Sequence, residues 1–320
     1  MDYYATMGTA CCAPETAEAL FRAGMTGCRL NLSHTTLKKS EELIGTFRAA
    51  AQRCGVPMRL VADLQGPEQR IGSLTAPIPL RAGEEILLGA RGVPAPQSVL
   101  AASEGGDTLL LDDSAIALTV RSREAGALRC RVERGGTLQG RKSIAVAGRE
   151  NDAPPLTEQD RENLALAPRF GVTDVLQPFV RSRADVEAVR EVLARSGAPD
   201  VRVMAKIENR RGLDALTEII DAADEICIAR GDLGSAIGLC AVPRAQKEIA
   251  RACHAAGKPF CVATELLWSM HRRAVPTRAE VSDIYNAVLD GAAGLMLTGE
   301  TAVGEYPVEA MRWLVRAAQG

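Results

Sequence analysis

Val203-Met204-Ala205-Lys206-Ile207-Glu208-Asn209 and Ile228-Ala229-Arg230-Gly231-Asp232-Leu233-Gly234 are short apolar runs that each end abruptly in charged residues. Between them Leu213, Leu216, Ile219 and Ile220 recur at helical spacing and share one face. The stretch reads as strand, helix, strand, with Lys206, Glu208 and Asp232 delivered at the carboxyl ends of two parallel strands. Proteins of the α/β class place their chemistry at such ends. One lysine with two carboxylates suits a divalent metal that holds an anionic substrate, since the metal takes oxygen ligands and the ammonium takes a phosphate. A plain βαβ unit whose charges merely mark strand ends explains this stretch equally well on its own.

The same alternation extends in both directions. Upstream, Tyr3–Gly8 reads as a strand, Pro14 opens a helix that stops at Gly24, and Cys28–Ser33 is a second strand. A helix through Leu43, Phe47 and Ala50 ends at Gly55, and Arg59–Leu64 forms a third strand. From about residue 72 to 150 the rhythm breaks into short alternating runs such as Ala115–Val120 and Leu128–Val132, punctuated by Gly105-Gly106-Asp107 and Gly135-Gly136. No helix-length periodicity shows there, so a small all-β domain inserted after the third strand is expected. The α/β rhythm resumes at Thr157, where Asp160 completes an approximate capping box. Strand 174–179 and helix 183–195, capped by Ser182, come next. Beyond the opening stretch lie helix 244–256, strand 260–264, a Thr277/Glu280 capping box, strand 294–298 and a helix opened by Pro307.

Eight strands that each lead to a helix predict a closed (β/α)₈ barrel, made of residues 1–71 and 151–320, around an inserted β domain at 72–150. An open doubly wound sheet is the competing architecture. A Rossmann site is not supported, because no G-x-G-x-x-G lies between a strand and a helix.

Composition narrows the function classes. The chain has 320 residues, 47% of them hydrophobic, and 38 basic against 40 acidic residues leave a formal net charge of −2. That balance offers no electrostatic grip on nucleic acid or membrane. No apolar run approaches the ~18 residues of a spanning helix, and the start lacks a secretion signal, so a cytoplasmic protein is expected. Nine cysteines are scattered without C-x-x-C spacing, which argues against zinc and against a disulfide framework. Only three histidines are present, and His254 and His271 read as surface residues.

In a barrel the strand ends converge on one face. They would bring together Arg29, Asn31, Ser33, His34, Asp63, Arg70, Lys206, Glu208, Asp232, Thr264, Thr298 and Glu300. Cations, acids and hydroxyls at one mouth suit a substrate carrying phosphate and carboxylate, bound through metal. Strand ends that are polar only because they meet water are the alternative.

Six stretches carry a resemblance. Arg29-Leu30-Asn31-Leu32-Ser33-His34 resembles the R-L-N-F-S-H motif of the pyruvate kinase family, and Asp63–Arg70 is similar to its D-x-x-G-P-x-x-R loop. Lys206–Asn209, Ala229–Gly234, Pro276–Glu280 and Gly299–Ala302 resemble four further signatures in family order. The resemblance implies transfer of a phosphoryl group from phosphoenolpyruvate to ADP. Glu208 and Asp232 match ligands of magnesium (or manganese), and Lys206, Arg29 and Arg70 match groups around the phosphoryl in flight. Asn31, Ser33, Asp63 and the Leu64 carbonyl match a potassium site. Thr264 and Thr298 match hydroxyls near the enolate, and Gly231 with Asp232 and Thr264 matches substrate-binding positions. His34, Asp112 and Lys142 match nucleotide-side positions, the last two in D-D-G-like Asp112-Asp113-Ser114 and G-x-K-like Gly140-Arg141-Lys142 on a lid that closes over the site.

Departures accompany the match. The family's C-terminal regulatory domain has no counterpart after the eighth helix, so allosteric control is not expected, while a homodimer through the barrel remains open. Ser114 replaces a glycine, Thr9 a proline, Pro178 a serine, Ala236 and Trp268 acids, and Val303 a lysine. Leu64-Gln65 follows the family's potassium-independent pattern but Glu68 the dependent one, which leaves a missing cation for a monovalent ion to supply. Three readings stand: a short unregulated pyruvate kinase, a relative using the same site with another acceptor or for other enolate chemistry, and a non-catalytic homologue.

Overall fold

Strands Asp2–Thr6, Gly27–Asn31, Arg59–Asp63, Asp174–Gln177, Arg202–Ile207, Glu225–Ala229, Phe260–Ala263 and Gly294–Leu297 form a closed, all-parallel barrel in a computed structural model. The structure describes residues 1–112, 115–124, 126–149 and 152–320. Neighbours in the barrel are neighbours in sequence, and the ring closes where Asp2–Ala5 pairs with Gly294–Leu297. The closed ring excludes the open doubly wound sheet.

Alternation along the strands gives the barrel two apolar populations. Tyr4, Val61, Leu176, Met204, Cys227, Cys261, Ala263 and Met296 form a buried cluster of their own inside it. Their chain neighbours, such as Ala5, Leu60, Val175, Val203 and Leu295, join the larger cluster shared with the helices. Tyr4 fits because Gly27 and Gly294 present no side chain to its ring. A Cβ on Gly27 would come within 2.6 Å of its ring, and one on Gly294 within 2.9 Å. At the amino-terminal end of the barrel Arg59 pairs with Asp2 and Asp174, and Arg202 donates to Glu225 at 2.9 Å. The Arg59 guanidinium also lies 5.3 Å from the Tyr4 ring centre.

Both sequence-read capping boxes form, Thr157 with Asp160 and Thr277 with Glu280. Two local expectations differ. Ser182 occupies the N-cap of helix Arg183–Arg195 without a side-chain cap bond; the Asp185 carboxylate instead accepts the Arg181 amide at 2.9 Å. The helical run after Asn209 is two short helices, Arg210–Asp214 and Leu216–Ala222, broken at Ala215.

By its contacts the chain divides into two compact units, residues 1–66 with 154–320, and residues 67–153. The second has a five-stranded antiparallel sheet ordered Ile144–Val146, Thr108–Leu111, Ile116–Glu124, Ala127–Arg134, Glu85–Gly89. A two-stranded pair, Ile78–Leu80 with Gly136–Leu138, accompanies it, and Leu88, Leu109, Leu118, Leu128 and Val132 sit in its own core. It is not all-β: helix Gln97–Ala102 buries Val99 and Leu100. At six residues that helix is too short for its periodicity to show in sequence. Asp113 and Ser114, quoted above for the D-D-G-like segment, lie outside the described residues. No helix among the described residues is long and apolar enough to cross a membrane.

Candidate active site

The carboxyl ends of barrel strands two, three and five meet in a buried charge network. Asp63 is the hub. It accepts Arg29 Nε at 2.8 Å and Nη2 at 2.5 Å, and its other oxygen lies 3.3 Å from Lys206 Nζ. Arg29 is held on its far side by Thr6, whose hydroxyl accepts Nη1 at 2.8 Å. Thr6 ends the first strand, so the strand-end rule that found its neighbours also points to it, although no motif does.

Glu208 lies one residue past the fifth strand with its side chain 0% exposed, and its Oε2 is 3.7 Å from Lys206 Nζ. Its Oε1 accepts the Phe179 amide at 2.8 Å. Phe179 takes a left-handed φ of 52°, a placement that nothing in its sequence announces. Oε2 of Glu208 and Oδ1 of Asp63 are both buried without a hydrogen-bond partner, although each forms an ion pair with the Lys206 ammonium.

Electrostatics keep this cluster polarised. Burial pulls the Lys206 ammonium down, yet Asp63 and Glu208 outweigh it and hold the group above the ordinary lysine value. Burial, reinforced by Asp232 against the opposing Lys206 charge, pushes the Glu208 carboxyl up to about 8. That mutual influence places Asp232, in the first turn of helix Arg230–Ile237, within reach of the same charges.

The hydroxyls differ in what they bond. Thr264 Oγ1 accepts the Gly231 amide at 2.9 Å, so its own proton points away from that bond. Thr298 Oγ1 lies 3.2 Å from Glu300 Oε2, which also accepts the Thr298 amide at 2.8 Å. Glu300 is fully buried, and its other oxygen accepts the Leu267 amide at 3.2 Å. Thr264 and Glu265 have φ of 75° and 54°, consecutive left-handed residues that each cost roughly 1–3 kcal/mol.

Other sequence-read residues fall nearby or elsewhere. Asn31 Oδ1 accepts the Ser33 amide at 3.1 Å, and Asn31 is the register partner of Asp63. Leu64 is buried, with its amide bonded to Leu176 O at 3.0 Å. His34 is exposed. His271 is half-buried rather than fully at the surface: its ring lies against Gly299 with Nε2 buried. Arg70, Asp112 and Lys142 belong to the second unit. There Arg70 pairs with Glu68 at 2.5 Å and donates to Arg141 O at 2.9 Å, and Lys142 pairs with Asp112 at 2.7 Å.

A residue that sequence reading used only as a cap has a second task. The buried Asp160 carboxylate accepts the Gln65 amide at 2.8 Å and the Gly66 amide at 3.0 Å, besides the Thr157 amide and hydroxyl. It therefore shapes the loop that leaves Asp63.

A family model described as pyruvate kinase, barrel domain, matches residues 2–311. The pyruvate kinase of Aeropyrum pernix is 38% identical over 315 residues, which cover 98% of this chain and 69% of that protein. That of Geobacillus stearothermophilus is 37% identical over 98% of this chain and 55% of its own length. That of Borreliella burgdorferi is 34% identical over 98% of this chain and 67% of its own length. The chain thus spans between 55% and 69% of the length of these relatives.

Proposed function

The chain belongs to the pyruvate kinase family, and from that premise we propose that it moves a phosphoryl group from phosphoenolpyruvate to ADP and protonates the enolate left behind. The observation that carries the reading is the buried Arg29–Asp63–Lys206–Glu208 network, in which one oxygen of Asp63 and one of Glu208 have no hydrogen-bond partner. A buried orphan carboxylate oxygen is costly unless something binds it.

Glu208 fits a divalent ion on this ground, and Asp232, whose charge acts on it, supplies a second carboxylate. No cluster of three or more histidine, cysteine or acidic side chains able to hold a metal exists among the described residues. Two carboxylates nevertheless suit magnesium, which keeps waters and takes substrate oxygens for its remaining positions. Asp63 Oδ1, with Asn31 and Ser33 beside it, fits a monovalent cation such as potassium in the same way. When bound, the divalent ion supplies charge neutralisation to phosphoryl and enolate oxygens.

The chain's own groups do the rest. Lys206 stays charged and presents a fixed ammonium to the transferring phosphoryl, where preorganised charge acts without reorganising. Arg29, clamped between Asp63 and Thr6, offers its remaining donor edge to an anion. Thr264 has a hydroxyl proton directed away from Gly231, suited to the enolate carbon or to a water beside it, whereas Thr298 is tied to Glu300. Lys142 is the cation we assign to the nucleotide phosphates, and Arg70 we assign with Lys206 and Arg29 to the phosphoryl group in flight. A cytoplasmic location and a homodimer through the barrel go with this reading.

The test is pyruvate formation from phosphoenolpyruvate, ADP, magnesium and potassium by wild type and Lys206→Met. We expect the variant to lose roughly 10²–10³-fold in turnover while keeping its thermal stabilisation by oxalate with magnesium. Equal turnover would remove Lys206 from the mechanism.

The Lys142–Asp112 pair favours a second reading, in which another acceptor replaces ADP, because the cation assigned to the nucleotide is already neutralised. Magnesium-dependent proton exchange at the methyl group of pyruvate, without turnover on any nucleoside diphosphate, would select it.

A further inference from the structure

We infer that Arg230 is a positioning residue that locks the Thr264 hydroxyl and the Gly231–Asp232 turn into one unit; the inference rests on the reaction proposed above. Three bonds on three elements carry it. Arg230 Nη1 pairs with Asp283 on helix Arg278–Leu289 at 2.7 Å. Its Nη2 donates to the Thr264 carbonyl at 2.8 Å, after the seventh strand. The amide of the next residue, Gly231, donates to the Thr264 hydroxyl at 2.9 Å.

Thr264 needs this support. It is β-branched and sits at a φ of 75°, followed by Glu265 at 54°, in a region such residues leave unless their surroundings over-determine them. The guanidinium holds the carbonyl of the strained residue while the adjacent amide holds its side chain, so backbone and rotamer are fixed from one side. Asp283 fixes the guanidinium in turn, and the Arg230 side chain is only 13% exposed. A planar fork reaches two acceptors on different elements in a set geometry, and an ammonium does not. The clamp thereby sets the spacing between the hydroxyl assigned to the enolate and the carboxylate of Asp232. Arg230 itself faces Asp283 and a carbonyl, so its role is exercised through Thr264 and Asp232.

The test compares Arg230→Gln, Arg230→Lys, Asp283→Asn, Thr264→Ala and the double variant Arg230→Gln/Thr264→Ala in the full chain, each checked for native circular dichroism. We expect Arg230→Gln to lower kcat roughly 10–100-fold, the scale of a small misplacement of a reacting group, with KM for phosphoenolpyruvate little changed. Lysine fails to rescue, Asp283→Asn gives a milder loss, and Arg230→Gln costs much less in the Thr264→Ala background. A full additional loss in that background, or wild-type kcat in Arg230→Gln, would overturn the assignment. Amide hydrogen exchange supplies an arm independent of turnover: Gly231 should lose protection in Arg230→Gln, and unchanged protection would also overturn it. If wild type makes no pyruvate, the proposed reaction fails while the exchange arm still decides whether the clamp exists.

Discussion

Gly66 and Pro178 pack so tightly that a Cβ on Gly66 would lie 2.4 Å from Pro178 Cγ. Gly66 also has a φ of 62°. Two costs therefore meet in Gly66→Ala: about 1 kcal/mol for a left-handed alanine and about 1–3 kcal/mol for overpacking. We expect the variant to lose about 2–4 kcal/mol of stability, the sum of those two costs, in urea unfolding. Adding Pro178→Ala should return the steric part and leave the conformational part. A double-mutant cycle with no coupling would contradict the contact as its cause.

Asp160 serves two backbone segments at once, and asparagine cannot accept all four of its hydrogen bonds. Asp160→Asn turns an NH₂ group towards amide donors in a fully buried site. An expected loss of about 3 kcal/mol follows from orphaned buried donors. Amide exchange should quicken at Gln65 and Gly66 before it does in the strands, and uniform quickening would mean that the loop is not held locally.

Glu280 gives the barrel a pH dependence with a defined sign. Its burial would raise the carboxyl, but bonds from the Ser269 hydroxyl and amide and from Thr277 prevail and hold it below the usual glutamate range. A depressed folded value means that the unfolded chain binds the proton more readily. The stabilisation is thus fully present above the ordinary glutamate value and is lost as pH falls through the folded one. The stability gap between wild type and Glu280→Gln should be constant near neutrality and shrink in acid. A gap that widened in acid would refute the assignment.

Removing one metal-ligand candidate should separate metal binding from folding. Glu208→Gln keeps an acceptor for the Phe179 amide but loses the carboxylate charge. The variant should fold and show no rise in Tm with magnesium and oxalate, where wild type does. An equal rise in both would place the ion elsewhere.

Strand order, both capping boxes and the placing of Lys206, Glu208, Asp63 and Arg29 at strand ends were legible because periodicity and chain polarity set them directly. Other features depend on three-dimensional neighbours that no local pattern encodes. The Phe179 amide reaches Glu208 through a left-handed turn in a residue without turn preference, and Asp160 reaches Gln65 from 95 positions away. Arg70 sits a few residues past the third strand and joins the second unit, because its backbone bridges to Ser143. The helix break at Ala215 was hidden because Leu213, Leu216, Ile219 and Ile220 keep helical spacing across it.

The seam of the barrel has a consequence for synthesis. Asp2–Ala5 hydrogen-bond to Gly294–Leu297, and Tyr4 fills the space left free by Gly294. A chain emerging from the ribosome at about 5–20 residues per second makes its first strand many seconds before that partner exists. Through that interval Tyr4 and the edge of the first strand wait unpaired, an exposure that pairing with Gly27–Asn31 covers on one side only. Closure is therefore a late event, and the window before it is when a chaperone or an aggregate would compete for this strand.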